Sequence, residues 1–155
     1  MTEPLPHPVV RPMESPGAVF VDANVFMYAA GKDARWRETC DAVLDRLQKS
    51  KVRVVTNAEV LQEILHRYFS QHRPGDARTV HRAARELCDE IIPVTEGHTT
   101  RALSLLLDHQ QLPPRGAIHV ATMEERGIRA ILSADQDFDP VPSVDRIDPR
   151  DFVGA

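Results

Sequence analysis

Short apolar runs that alternate with longer stretches of helical periodicity constrain this chain more than any other feature. Ala18–Val21, Val52–Val55, Ile91–Val94 and Ala130–Ser133 are each strand-length and nearly free of polar residues. Such runs suit strands buried on both faces, which is the condition inside a parallel sheet. Pro93 marks the third as an edge strand, and a fifth short strand is expected at Val144–Ile147.

The segments between them read as helices. Asn24 is expected to cap a short helix through Val25, Phe26, Met27 and Tyr28 that stops near Gly31. Arg35–Ser50 carries Trp36, Cys40, Val43, Leu44 and Leu47 at helical spacing. Thr56 or Asn57 caps a helix with the apolar face Val60, Leu61, Ile64, Leu65, Tyr68 and Phe69, for whose aromatic residues, as for Trp36, core positions are expected. Asp76–Glu90, Thr99–His109 and Gly116–Arg126 complete the set. Strands alternating with helices predict an α/β fold, a three-layer sandwich with a mainly parallel sheet between helices. In such sheets, ligands bind beyond the carboxyl ends of the strands.

A chain of 155 residues is one domain's worth. Residues 1–17 hold Pro4, Pro6, Pro8, Pro12 and Pro16 and are expected to form an extended or disordered arm; the folded domain then covers residues 18–155. The net charge of −4 argues against a general nucleic-acid coat, though not against nucleic acid at one local patch. No apolar run reaches the ~20 residues of a membrane span. The first residues lack the basic patch and apolar stretch of a signal peptide. Two cysteines, Cys40 and Cys88, are too few for a disulfide framework, so a reduced, cytoplasmic setting is expected. The glycines are isolated and form no phosphate loop. The histidines and cysteines show no zinc-site spacing.

Acidic residues stand where the sheet should bind ligands. Asp22 follows the first strand, and Asp135 and Asp137 closely follow the fourth. If those strands are neighbours, the carboxylates meet at one edge. Glu63, in the helix after the second strand, is out of phase with that helix's apolar stripe and near enough to its start to project over the same edge. Two unit charges 4 Å apart at an effective dielectric near 20 cost about 4 kcal/mol, so such a cluster takes up protons or binds a cation. All-oxygen ligation with open positions suits Mg²⁺ or Mn²⁺, whose chemistry is hydrolysis of phosphodiesters. Plainer readings coexist: Asp22 as a helix cap, Glu63 on a solvated face with Glu59 able to replace it, and Asp135, Asp137 and Asp139 as turn residues before Pro140.

Four segments, in this order and at these separations, resemble a PIN domain, and more narrowly the VapC-type toxins of prokaryotic toxin–antitoxin pairs. They are Val21-Asp22-Ala23-Asn24-Val25-Phe26-Met27-Tyr28, Glu59 to Leu65, and Arg115-Gly116-Ala117-Ile118-His119-Val120-Ala121-Thr122 followed by Ile131 to Phe138. The resemblance implies a five-stranded parallel sheet flanked by helices and a Mg²⁺- or Mn²⁺-dependent endoribonuclease. It implies Asp22, Glu63 and Asp135 as metal ligands, with Asp137 as a further ligand or water-orienting group. Asn24 and Ser133 match polar positions that support the ligands, and Arg115 is a candidate for an RNA phosphate, as are Lys32, Arg35 and Arg37. One departure stands out. Gly116 occupies the position of an expected third acidic ligand and cannot ligate, which implies a weakened site. His119, one turn further on, is expected in a core or supporting role. The implied partners are RNA, a cognate antitoxin whose cationic tail enters the acidic site, and a second copy of the chain.

Two alternatives remain at this point. One is a catalytically inactive PIN-fold binding module, which Gly116 favours. The other is an aspartate-based phosphoryl-transfer domain, which needs a late lysine, whereas no lysine follows Lys51.

Overall fold

Five strands pair in parallel in the order β3-β2-β1-β4-β5. The computed structural model describes residues 17–154; the proline-rich arm therefore lies outside the described residues except for Gly17, whose carbonyl accepts the Arg53 amide and opens the sheet. The elements run β1 (Ala18–Val21), α1 (Ala23–Ala29), α2 (Ala34–Lys49), β2 (Arg53–Asn57), α3 (Ala58–Ser70), α4 (Pro74–Leu87), β3 (Glu90–Ile92), α5 (Glu96–Asp108), α6 (Pro114–Arg126), β4 (Ala130–Leu132), a 3₁₀ turn (Gln136–Phe138), β5 (Asp145–Ile147) and α7 (Pro149–Gly154). β1 is central, with Phe20 beside both Val55 of β2 and Ile131 of β4. Its side chains from Val19 to Val21 are essentially unexposed, because helices cover both faces.

The chain builds β1, β2 and β3 outward in one direction, then returns to lay β4 and β5 on the other side of β1. That reversal opens a crevice at the carboxyl ends of β1 and β4. The Asp22 amide still donates to the Leu132 carbonyl at 3.0 Å, so the residue after β1 is tied to the end of β4.

Local chemistry corrects several boundaries. Asp22, not Asn24, caps α1, its carboxylate accepting the Ala23 amide. Asn24 lies inside that helix. Asn57 caps α3 through the Val60 amide. α4 starts at Pro74, where proline suits the first helical position, and stops at Leu87 rather than continuing to residue 90. α5 begins three residues earlier than periodicity suggests, because Thr95 and His98 form a capping box. Val60, Ile64 and Tyr68 bury one face of α3, while Phe69, expected in the core, is 57% exposed. Trp36 stacks on Tyr28 with ring centroids 4.8 Å apart.

The C-terminal end is fastened through Asp148. Arg150 grips both of its oxygens, from Nε at 2.9 Å and Nη2 at 2.7 Å, and Arg146 adds a longer contact. The Arg150 guanidinium also lies over Trp36. These hydrogen bonds, led by that of Arg150, hold the Asp148 carboxyl down at about 2. A carboxyl lowered by folding stabilises the fold above its usual 3.8 and loses that contribution as pH falls through about 2. Arg150 is largely exposed, so screening discounts the gain. Asp148→Asn is expected to cost about 1–2 kcal/mol at neutral pH. Denaturant titrations of both proteins between pH 7 and pH 2 check this, with the gap closing at the acid end.

Candidate metal centre

Asp22 is 6% exposed and every lone-pair direction but one is in use. Oδ1 accepts the Ala23 amide at 2.8 Å; Oδ2 accepts the Ser133 hydroxyl at 2.7 Å and the Asn24 amide at 3.2 Å. Ser133 Oγ accepts in turn from Asn24 Nδ2 and from the Asp135 amide, and Asn24 Oδ1 accepts the Ala134 amide. Asn24 and Ser133 thus bind the residue after β1 to the loop after β4 and fix the Asp22 carboxylate in one orientation. Burial pushes the Asp22 carboxyl above its usual range and the charge of Glu63 adds to this, against the opposing pull of His119 and of the Ser133 hydrogen bond.

Glu63 approaches from α3. His119 Nε2 lies 3.0 Å from Glu63 Oε1 and 3.5 Å from Asp22 Oδ1, and Arg115 Nε lies 3.6 Å from Glu63 Oε2. One ligand atom each from Asp22, Glu63 and His119 falls within 4.8 Å of the others. The imidazole is fully buried against Phe20. Burial disfavours its charged form, but the Glu63 hydrogen bond and the neighbouring carboxylates outweigh this and raise its proton affinity. Behind it, Nδ1 meets Asn57 Nδ2 at 3.1 Å.

Asp135 caps the 3₁₀ turn by accepting the Asp137 amide and lines a cavity of about 140 Å³ together with Asp22, Glu63, Asn24, Gly116 and His119. Asp137 stands beside Asp135 and is not among the lining residues; partial burial and the Asp135 carboxylate push its carboxyl up. Asp139 is engaged by Arg146, which also donates to the Ser133 carbonyl at 3.0 Å and so braces the whole acidic loop against β5. Gly116 sits on the cavity wall, where a Cβ would stand 3.1 Å from Leu112 Cδ1 and 3.3 Å from Phe138 Cζ.

The cations at this cavity are Arg115, paired with Glu63, and Arg67, which no sequence argument singled out. The available signal was its position four residues after Glu63, on the same face of α3. Lys32 lines a neighbouring cleft of about 250 Å³ that shares Arg67. Arg35 and Arg37 do not line it, and Arg37 instead donates to the Gly31 carbonyl. A larger cleft of about 510 Å³ at the opposite ends of the strands is lined by Arg53, Arg126 and Arg129, but these pair with Glu90 and Asp145. Cys40 and Cys88 are free, and burial pushes both thiols up to about 12, which rules them out as nucleophiles at neutral pH. Among the described residues no helix is long and apolar enough to cross a membrane.

The donor chemistry fits a hard divalent cation. Two converging carboxylates, one of them buried and held rigidly, share a small cavity with a third, Asp135. Asp22 and Glu63 converge with His119, Asp135 lines the same cavity without joining that cluster, and Asn24 and Ser133 support Asp22.

Comparison with known proteins agrees with this geometry. The family model described as "PIN domain" matches residues 19–143. A curated relative, VapC ribonuclease Mb1869c from Mycobacterium bovis, is 33% identical over 129 residues, covering 83% of this chain and 98% of its own length. Among solved structures, Mycobacterium tuberculosis VapC20, described as a Sarcin-Ricin loop cleaving toxin, superposes with a TM-score of 0.66 at 23% identity, over 79% of this chain and 94% of that one. VapBC-5 from Mycobacterium tuberculosis, a member of a family of toxin–antitoxin systems, superposes with a TM-score of 0.56 at 17% identity, over 86% and 98% of the two chains.

Proposed function

Because this chain belongs to the PIN domain family, and within it to the VapC ribonucleases, we propose that it is the toxin of a toxin–antitoxin pair, an endoribonuclease that works with Mg²⁺ or Mn²⁺. The observation that carries this reading is the meeting of Asp22, Glu63 and Asp135 in one small cavity at the crevice between β1 and β4. Asp22 and Glu63 hold the ion, Asp135 completes the set from the rim, and Asp137 supports Asp135. Asn24 and Ser133 keep Asp22 in its ligating orientation. Arg67 and Arg115 border the cavity and hold an RNA phosphate against it, with Lys32 extending that cationic edge. The ion supplies charge neutralisation at the phosphodiester and activation of the attacking water.

The partners follow from the family, and the charge of the cavity is compatible with them. A cavity lined by three carboxylates accepts a cationic side chain as readily as a metal, so a cognate antitoxin with an arginine-bearing tail blocks it. VapBC-5, a toxin–antitoxin system, shares the fold, which supports this assignment. A second copy of the chain is the expected assembly partner, and the cytoplasm the expected location. The phosphoryl-transfer alternative lacks its lysine, since the basic side chains that line the cavity with His119 are arginines.

Gly116 favours one second reading, a PIN-fold module that binds without cleaving. The two separate on metal. Cleavage of a structured RNA is expected to stop on addition of a chelator and to return with excess Mn²⁺ or Mg²⁺. Cleavage that persists in the chelator rejects the metal mechanism, and an absence of binding heat at millimolar Mn²⁺ favours the module.

A further inference from the structure

Three side chains behind the cavity carry a constraint that reaches into it. Asn57 Oδ1 accepts the Val60 amide at 2.8 Å as the cap of α3, which fixes which end of the side-chain amide is oxygen. Its nitrogen must therefore face Thr122 Oγ1 and His119 Nδ1, both at 3.1 Å. The Thr122 hydroxyl hydrogen is already given to the His119 carbonyl, so Oγ1 accepts from Asn57. The second amide hydrogen then points at Nδ1, which in the ring with one hydrogen must offer its lone pair. The ring hydrogen consequently sits on Nε2 and is directed at Glu63 Oε1, 3.0 Å away.

We infer that Asn57, by holding the His119 hydrogen on Nε2, keeps the imidazole out of the coordination sphere and reserves it as the hydrogen-bond donor that positions Glu63. The ligand atoms of Asp22, Glu63 and His119 are close enough to make a mixed nitrogen–oxygen site, which favours zinc and its neighbours. Ligation through Nε2 requires the hydrogen to move to Nδ1, where it meets the Asn57 amide donor head-on. The site is left with oxygen donors alone, the set that suits Mg²⁺ and Mn²⁺. Asn57 and His119 are thus positioning residues, and Asn57 determines the class of metal. The premise is independent of any ion; only the consequence rests on the metal-binding reading of the cavity.

The test is nitrogen-15 NMR of the histidine rings in the full chain, followed by calorimetry. In the metal-free protein, His119 with a single ring hydrogen is expected to carry it on Nε2, and saturating Mg²⁺ or Zn²⁺ is expected to leave it there. Asn57→Asp keeps an oxygen for the Val60 amide and offers Nδ1 an acceptor instead of a donor, the carboxylate–histidine arrangement found behind zinc ligands. In that variant the hydrogen moves to Nδ1, and Zn²⁺ affinity rises about tenfold or more while Mg²⁺ affinity does not. A hydrogen on Nδ1 in the native protein, loss of the Nε2 hydrogen on adding Zn²⁺ to it, or a shifted hydrogen in Asn57→Asp with no gain in Zn²⁺ affinity each overturns the inference. The native-protein spectra decide it even if the variant does not fold. A protein that shows the Nε2 hydrogen but binds no metal refutes the nuclease reading and leaves the tautomer intact.

Discussion

Asp22→Asn is expected to lower metal-dependent RNA cleavage by about three orders of magnitude, the equivalent of ~4 kcal/mol of lost transition-state stabilisation. The substitution keeps size and shape. Its carbonyl oxygen still accepts the Ala23 amide, so the cap of α1 survives. Its new amino group faces Asn24 Nδ2 and the Ser133 hydroxyl, two donors where an acceptor stood. The negative charge proposed to anchor the ion is removed. Calorimetry with Mn²⁺ and cleavage rates on one RNA check the claim, with circular dichroism confirming that the variant is folded. Cleavage within tenfold of the native rate would mean that the chemistry happens elsewhere.

Gly116→Asp is expected to act in the opposite direction. It places a carboxylate on the cavity wall opposite Asp22 and Glu63, and tighter Mn²⁺ binding by about tenfold, ~1.4 kcal/mol, should follow. Space opposes the gain. The new Cβ stands 3.1 Å from the end of Leu112 and 3.3 Å from the ring of Phe138, both packed in the core. Crowding of that kind costs about 1 kcal/mol or more of fold stability. Gly116→Ala separates the two effects, because it makes the same contacts and adds no charge. Faster cleavage and tighter Mn²⁺ binding in Gly116→Asp alone support a ligand position. Equal metal affinity in the two variants removes Gly116 from the site.

The parts of this molecule legible in its sequence are those where one physical demand acts alone. β1 and β4 must be buried on both faces, so their residues are apolar without interruption, and the acidic residues after them stand out. Glu63 was a candidate from its position alone, but the family resemblance was needed to prefer it, since a glutamate beside an apolar stripe looks the same whether it faces solvent or a cavity. Phe69 misleads for a related reason: it and Leu65, one turn earlier, are both exposed, so the apolar stripe on α3 is wider than the face it buries. The contact between Asn57 and His119 spans 62 positions and was hidden because the capping role of Asn57 already accounts for the residue. Arg67 and the bracing of the acidic loop by Arg146 are likewise products of packing, with no periodicity to announce them.

That bracing makes the edge of the sheet part of the chemistry. The guanidinium of Arg146 joins the strand farthest along one side to the carbonyl of Ser133, whose hydroxyl touches both Asp22 and the backbone of Asp135. Lifting that outer strand, whether by heat or by a bound protein, would free Ser133 and loosen the hold on Asp22 while every carboxylate is still present.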